Sequence, residues 1–141
     1  MREGALATLI AETGGVNAMI VDSSALPQQG VRDALPSAFN SPGQPCSALR
    51  LLCLPEHTAD EILRMLCGAM DELVVGAPHL LSTDVGPVID ADARGALTAY
   101  IDANQRRVVH RVSLGSAHEH GLFVAPTVIE LDRASQLTRE V

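Results

Sequence analysis

The residue with the clearest chemical potential in this sequence is Cys46, which lies in a loop rich in glycine and proline at residues 40–47. Such a loop bends the backbone sharply and favours partial exposure, and both features suit a nucleophilic thiol. The alternative is an ordinary buried cysteine, because cysteine is among the residue types most often buried. Cys53 lies in an apolar run and Cys67 on the apolar side of a predicted helix, so we expect both to pack in the core.

Glu12 is the second candidate, since it follows an apolar run at residues 5–11 and precedes Gly14 and Gly15. A carboxylate at the carboxyl end of a buried strand occupies a favoured position for a site in an open α/β sheet. In that setting it would serve as a general base near neutral pH. The alternative is an acidic residue in a solvent-facing turn.

His118 and His120 flank Glu119, so three side chains of metal-ligand type are adjacent in the sequence. They lie between Gly115 and Gly121, and a stretch flanked by glycines is typical of a solvated turn. No paired cysteine or histidine spacing of the zinc type occurs in the sequence. The sequence therefore predicts a turn here and no metal site.

The composition favours a folded aliphatic domain. The chain has 141 residues, of which 47% are hydrophobic and 2% aromatic. Its formal net charge of −7 disfavours nucleic-acid binding, because acidic side chains repel a phosphate backbone. No apolar stretch approaches the ~20 residues of a membrane span, no secretory signal is recognisable, and three cysteines make no dense disulfide framework. We therefore expect a cytoplasmic protein that binds neither nucleic acid nor membrane.

Apolar periodicity predicts strands that alternate with helices. The predicted strands are residues 5–11, 17–22, 48–54, 108–114 and 122–131, the last interrupted by Pro126. The predicted helices and their caps are 26–39 with Ser23 or Ser24, 59–73 with Thr58, and 91–104 with Asp90. Gly30 and Pro36 are expected to damage the first helix, since both residue types disfavour a helix interior. Apolar strands buried on both faces and alternating with helices indicate an α/β fold with a largely parallel sheet.

Four ordered segments resemble the signature motifs of the aldehyde dehydrogenase superfamily. They are ETGGVN at residues 12–17, FNSPGQPC at 39–46, GPVI at 86–89 and GLFVAPT at 121–127. The 34 residues from Glu12 to Cys46 match the spacing of that family. Within the superfamily, the amino-acid sequence of these segments is most similar to that of the L-glutamate γ-semialdehyde (pyrroline-5-carboxylate) dehydrogenase module of bifunctional proline utilization A.

The resemblance implies a reaction and a set of site residues. Cys46 would be the nucleophile, acting through a thiohemiacetal and a thioester, and Glu12 would activate the water that releases the acid. Thr13 and Gly14 would lie near the nicotinamide of NAD, which the resemblance implies as cofactor. The implied function is the NAD-dependent oxidation of L-glutamate γ-semialdehyde, the small-molecule partner, to glutamate in proline catabolism.

The resemblance also implies that residues 1–141 are a partial aldehyde dehydrogenase catalytic domain, without the N-terminal NAD-binding domain and the C-terminal end of the family. We therefore expect a fragment with an incomplete NAD site and little activity alone. The family commonly has a residue other than proline directly before the cysteine, whereas this chain has Pro45. Together with Pro42, Pro36 and Gly30, it indicates either relaxed constraint on this segment or a cysteine loop of altered shape.

Two other functions stay open. A thiol and a carboxylate can hydrolyse activated esters without a cofactor, so a thiol hydrolase is the second enzymatic hypothesis. A partial α/β layer leaves apolar faces uncovered, and such faces tend to be buried by a partner. The non-enzymatic hypothesis is therefore a domain that self-associates as a homo-oligomer or is completed by another chain.

Overall fold

The structure, a computed structural model, describes residues 14–137. Its strands are β1 (Asn17–Ile20), β2 (Leu49–Cys53), β3 (Val108–Arg111) and β4 (Thr127–Ile129). Its α-helices are α1 (Pro27–Phe39), α2 (Glu56–Asp71) and α3 (Ala91–Ala103). The strand predicted at residues 5–11 lies outside the described residues. Within residues 14–137, no helix is both long and apolar enough to cross a membrane.

β1 and β2 form a parallel pair, and α1 connects them as a β-α-β unit. Ala18 pairs with Leu51 and Ile20 with Cys53, so the two strands start side by side. Parallel neighbours require a crossover connection, and α1 supplies it. The α/β class predicted from the sequence is confirmed.

β3 and β4 pair in the antiparallel sense, unlike the first pair. His110 lies opposite Val128, and Arg111 lies opposite Thr127. Residues 112–126 connect the two strands with only a short 3₁₀ turn, so no crossover helix is present to return the chain for a parallel pairing. The sheet expected to be largely parallel is therefore divided, in the described part of the chain, into one parallel and one antiparallel pair.

The start of α1 differs from the prediction. Its N-cap is Leu26, not Ser23 or Ser24, and Pro27 occupies the first helical turn, where its fixed φ and missing N–H are tolerated. Ser24 instead donates its hydroxyl and its backbone N–H to one carboxylate oxygen of Asp22, at 2.6 and 2.9 Å. The hydroxyl bond, followed by the backbone bond, lowers the pKa of this exposed carboxyl.

The interior of α1 also corrects a prediction, because the helix continues through Gly30 and Pro36 to its end. Val31 and Ala34 are buried on its inner face and pack into the domain. Most of a helix's stability in a protein comes from burying such a face, and this burial outweighs the two unfavourable residues.

α2 begins directly after Pro55, which is its N-cap, so the predicted cap at Thr58 is wrong. Thr58 lies inside the first turn and donates its hydroxyl to the carbonyl oxygen of Pro55 at 3.4 Å. Glu56 opens the helix, where its negative charge suits the positive end of the helix dipole. The predicted cap of α3 is confirmed, since the Asp90 side chain accepts from the N–H of Ala93 at 2.8 Å.

The core lies where α1 packs against α2 beside the strands. The buried members of this cluster are Val21, Val31, Ile62, Leu66, Met70 and Val112. The apolar stripe of α2 is thereby confirmed, with Met70 completely buried. β1 is covered on one face only: Ala18 and Ile20 are exposed, and Ile20 retains 79% of its accessible surface. The expectation that this strand is buried on both faces is wrong for the described residues, because the helices pack on one side.

Candidate active site

Cys46 lies in a tight turn directly before β2, and its side chain is exposed. The N–H of Ala48 donates to the carbonyl oxygen of Pro45 at 3.0 Å, which closes a four-residue turn with Cys46 and Ser47 at its centre. The loop position predicted from the sequence is therefore found, and the alternative of a buried Cys46 does not hold. Because Cys46 precedes β2, the site lies at the amino ends of the parallel pair.

The segment from Gly14 to Asn17 runs beside this turn, because β1 and β2 are parallel and start together. Gly15 packs so closely that a Cβ atom added there would overlap the carbonyl oxygen of Cys46. The side-chain amide of Asn17 donates to the carbonyl oxygens of Cys46 at 2.6 Å and of Ala48 at 3.0 Å. The sheet register thus brings the end of the first motif against the cysteine of the second.

Glu12 and Thr13, which belong to the same motif, lie outside the described residues. Gly14 is described and exposed, three positions before Asn17 along the segment that flanks the cysteine turn. The structure therefore brings Cys46 close to the glycine pair, while the role of each of these residues stays a prediction.

A second set of contacts holds the loop before Cys46. Gly43 is buried and adopts a left-handed φ of +69°, and a Cβ atom there would stand 2.6 Å from the carbonyl oxygen of Ala38. The side-chain oxygen of Gln44 accepts from the backbone N–H of Ile89 at 3.0 Å. This bond ties the cysteine loop to the GPVI segment. Between them lies an open groove of about 620 Å³.

A backbone hydrogen bond connects the third motif, GPVI, to the fourth, GLFVAPT. The N–H of Val88 donates to the carbonyl oxygen of Leu122 at 2.8 Å. The ring of Phe123 meets that of His118 edge to face, with centroids 5.0 Å apart. A Cβ atom at Gly121 would overlap the Phe123 ring, so glycine is needed for this packing. The four segments that resemble family motifs are therefore contiguous in space over their described residues.

His118 sits in the 3₁₀ turn Ser116–His118, where the sequence predicts a turn. Its ring nitrogens lie 3.1 Å from the carbonyl oxygen of Gly115 and 2.8 Å from that of Val75. Within residues 14–137 no group of three or more histidine, cysteine, aspartate or glutamate residues is arranged to hold a metal ion. His118 instead joins two loops through backbone carbonyls.

The other two cysteines differ from Cys46 in their surroundings. All three thiols are free, and Cys53 and Cys67 are half-buried, as their predicted packing role requires. Burial raises the pKa of the Cys67 thiol, and the negative charge of Asp71 raises it further. A raised thiol pKa lowers the fraction of reactive thiolate, so Cys67 is poorly suited to nucleophilic chemistry at neutral pH.

The sequence does not single out Asn17 or Gln44 as site residues, although both lie inside the motif segments. Each makes a long-range hydrogen bond that fixes the cysteine loop. Their position within the motifs was the only signal, because a polar side chain in a loop does not reveal which distant backbone atom it contacts.

This assembly of motifs on an α/β frame is typical of the aldehyde dehydrogenase family. A model of the aldehyde dehydrogenase family matches residues 1–140, and the chain belongs to that family. It is 51% identical over 146 residues to the bifunctional protein PutA of Klebsiella aerogenes, covering 99% of this chain and 11% of that protein. It is 31% identical to the 1-pyrroline-5-carboxylate dehydrogenase of Geobacillus kaustophilus, covering 96% of this chain and 26% of that protein. The resemblance drawn from the four motifs is confirmed.

Solved structures that are similar to this chain come from the same family. A mutant of proline utilization A from Bradyrhizobium japonicum matches with a TM-score of 0.88 and 46% identity, covering 99% of this chain and 14% of that one. A mutant of aldehyde dehydrogenase C from Pseudomonas syringae, in complex with NAD⁺ and octanal, matches with a TM-score of 0.77 and 27% identity, covering 84% of this chain and 26% of that one. The expected membership of the aldehyde dehydrogenase family is confirmed, for a chain that spans between 11% and 26% of the length of these relatives.

Proposed function

We propose that this chain supplies the nucleophilic cysteine of an NAD-dependent aldehyde dehydrogenase that oxidises L-glutamate γ-semialdehyde to glutamate in proline catabolism. The supporting observation is the placement of Cys46, exposed in a turn that Gly15 and Asn17 of another motif contact directly. The names of the relatives, PutA and 1-pyrroline-5-carboxylate dehydrogenase, support the substrate. Residues 1–141 would be part of the catalytic domain of the complete enzyme.

Cys46 carries the first chemical step of this proposal. Its thiolate attacks the aldehyde carbon, forms a C–S bond and leaves negative charge on the former carbonyl oxygen. We assign the backbone N–H of Cys46 as one donor to that oxygen, since backbone donors held in a fixed turn need no reorganisation during the reaction. Loss of hydride from the thiohemiacetal carbon leaves a thioester on the Cys46 sulfur.

NAD, when bound, accepts that hydride. Gly14 is exposed and has no side chain, so it offers bare backbone next to the Cys46 turn, against which Gly15 packs. Such a surface fits the close approach of a flat cofactor ring. We assign Thr13 and Gly14 to contact with the nicotinamide, and the NAD⁺ bound to the Pseudomonas syringae relative supports the choice of cofactor.

Glu12 completes the proposed reaction. As a general base it takes a proton from water, whose oxygen attacks the thioester carbon; the C–S bond breaks, glutamate leaves and the Cys46 thiolate is restored. Glu12 lies outside the described residues, so this role rests on the motif and on its proximity in sequence to Gly14. The cytoplasm remains the proposed location, and the free thiols of the described residues support it.

A chimera tests the proposal in a complete enzyme. This chain would replace the matching segment of PutA from Klebsiella aerogenes, and NADH formation from L-glutamate γ-semialdehyde would be followed by absorbance. We expect activity in the chimera, its loss with Cys46→Ala, and its retention with Cys53→Ala as the matched control. Glu12→Gln should still form one equivalent of NADH and then stall. Full turnover in the Cys46→Ala chimera would overturn the proposal.

Exposed apolar side chains favour a second candidate, a domain completed by a partner. Ile20, on the uncovered face of β1, and Leu26, the N-cap of α1, retain 79% and 71% of their accessible surface. Light scattering of the 141-residue chain would show a concentration-dependent dimer if these side chains bury one another. A monomer at all concentrations would count against self-association.

Turnover of an aryl ester without NAD, lost in Cys46→Ala, would instead favour the thiol hydrolase.

A further inference from the structure

Asn17 uses both donors of its side-chain amide on the cysteine turn. One bond goes to the carbonyl oxygen of Cys46 at 2.6 Å and the other to that of Ala48 at 3.0 Å. An asparagine amide has two N–H donors, so this side chain has none left for another partner. Asn17 is half-buried and pairs with Leu49 in the sheet register, which fixes its distance from the turn.

The central peptide of the turn joins Cys46 to Ser47. The two common classes of β-turn differ mainly in a flip of this peptide, with ψ of the second residue at about −30° in one and about +120° in the other. The closing bond from Ala48 to Pro45 at 3.0 Å is compatible with either class. The closing bond alone therefore does not determine which way the central peptide faces.

Asn17 supplies the missing constraint. Its bond holds the Cys46 carbonyl towards the start of β1, and the backbone of Gly15 packs against the same oxygen. The described chain has no cis peptide bonds, and in a planar trans peptide the N–H points away from the C=O. The N–H of Ser47 is therefore directed away from Asn17, and no acceptor for it is found within residues 14–137.

We infer that Asn17 is a positioning residue for Cys46: its amide selects one orientation of the Cys46–Ser47 peptide and so fixes the backbone that carries the thiol. This inference rests on the proposed function, in which Cys46 is the nucleophile. Asn17 does not touch the reacting atoms. A misplacement of about 1 Å at a reacting group costs about 100-fold in rate, so a flipped turn would be a severe handicap.

The first test measures the order of the turn in the full 141-residue chain. Asn17→Ala and Asn17→Asp both remove the donors, and the second keeps the shape of the side chain. We expect amide hydrogen exchange at Ala48 to be about tenfold faster in both variants, as the loss of cooperating hydrogen bonds implies. Asn104→Ala is the matched control, because Asn104 donates to the carbonyl oxygen of Tyr100 at 2.9 Å, at the end of α3. It should leave exchange at Ala48 unchanged.

The second test measures the thiol itself. The rate of alkylation of Cys46 by iodoacetamide, divided by that of Cys53 in the same molecule, should change by about threefold or more in the Asn17→Ala and Asn17→Asp variants. It should return towards the parent value in Asn17→Gln, which restores an amide. A purely structural role would alter the melting temperature without altering this ratio. If Asn17→Ala fails to fold, Asn17→Ser, which keeps one donor, should give intermediate values in both tests.

Neither test requires NAD or an aldehyde. A negative result in these tests would therefore contradict the positioning role of Asn17 without contradicting the proposed reaction. An unchanged Ala48 exchange rate and an unchanged alkylation ratio in the Asn17 variants would overturn the positioning role, whatever the chimera does. Full NADH formation by the Cys46→Ala chimera would overturn the proposed reaction, whatever the Asn17 variants show.

Discussion

The side-chain oxygen of Gln44 accepts a hydrogen bond from the backbone N–H of Ile89 at 3.0 Å, across 45 residues of sequence. This bond fastens the loop that carries Cys46 to the GPVI segment. The bond from Val88 to Leu122 at 2.8 Å then fastens that segment to the fourth motif. The motifs are therefore mechanically connected, and a change in one is expected to reach the cysteine loop.

Replacement of Gln44 by leucine should weaken this connection. The bond lies in an exposed region, so we expect Gln44→Leu to lower the free energy of unfolding by about 1 kcal/mol, measured by urea denaturation. The amide of Ile89 should also exchange faster with solvent. Gln29→Leu is the control, because the Gln29 side chain donates to Asp33 on the surface of α1 at 2.9 Å, and its loss should cost about 0.2–0.5 kcal/mol. Equal losses in the two variants would contradict this prediction.

Substitution of Gly15 should disturb the cysteine turn from the other side. The Cβ atom of Gly15→Ala would overlap the carbonyl oxygen of Cys46, a backbone atom that moves only if the turn moves. We expect destabilisation of about 1–3 kcal/mol, the usual range for overpacking. Thermal unfolding measures it, and the variant should also lose dehydrogenase activity in the chimera. Gly115→Ala controls for the added methyl group, since Gly115 lies outside the α-helices and nothing lies within 4 Å of its Cβ position.

Local patterns in the sequence predicted the elements that bury a clear apolar face. α2 and its stripe were found because Ile62, Leu66 and Met70 recur at helical spacing, and that spacing is visible without any knowledge of the fold. The cap of α3 was found because Asp90 satisfies a backbone N–H within its own helix. Both features depend on residues close together in the chain.

Features that depend on distant residues were missed or mistaken. α1 remains helical through Pro36 because Val31 and Ala34 pack into the domain. Local helix propensity gives no information about this tertiary packing. The antiparallel pairing of β3 and β4 depends on how the chain returns after residue 111. At the site, the spacing of the motifs predicts Cys46 as a site residue. The contact of Asn17 with the Cys46 turn is not predictable in this way, because it depends on the register between β1 and β2.

Two glycines of the described chain should respond to alanine in opposite directions. Gly30 lies within α1, and a Cβ atom there would stand 3.8 and 3.9 Å from the methyl groups of Val21, which is ordinary contact. Gly30→Ala should therefore raise the free energy of unfolding by about 1 kcal/mol through higher helix propensity. Gly43→Ala should lower it by at least about 1 kcal/mol, because of its positive φ and its contact with the Ala38 carbonyl. Urea denaturation of both variants measures these changes. If the free energy of unfolding changed in the same direction in both, the packing described for the two glycines would be contradicted.

The thiol of Cys67 should show a pH dependence that reflects its surroundings. Burial, and then the charge of Asp71, raises its pKa, so its alkylation rate should rise at a higher pH than that of an ordinary thiol. Iodoacetamide labelling from about pH 7 to about pH 10, resolved by peptide mass, measures the rate. Asp71→Asn should shift the Cys67 curve towards lower pH and still offers an oxygen to His110, which lies 2.9 Å from the Asp71 carboxylate.

The same raised pKa has a consequence for stability. The unfolded thiol loses its proton at a lower pH than the folded one, so the unfolded state binds fewer protons in the alkaline range. The free energy of unfolding should therefore decrease as the pH rises above the ordinary thiol pKa. In Cys67→Ser this alkaline decrease should be smaller, whereas Cys46→Ser should leave the decrease from Cys67 in place. An identical alkaline profile in the parent chain and in Cys67→Ser would show that burial and Asp71 do not hold the proton on this thiol.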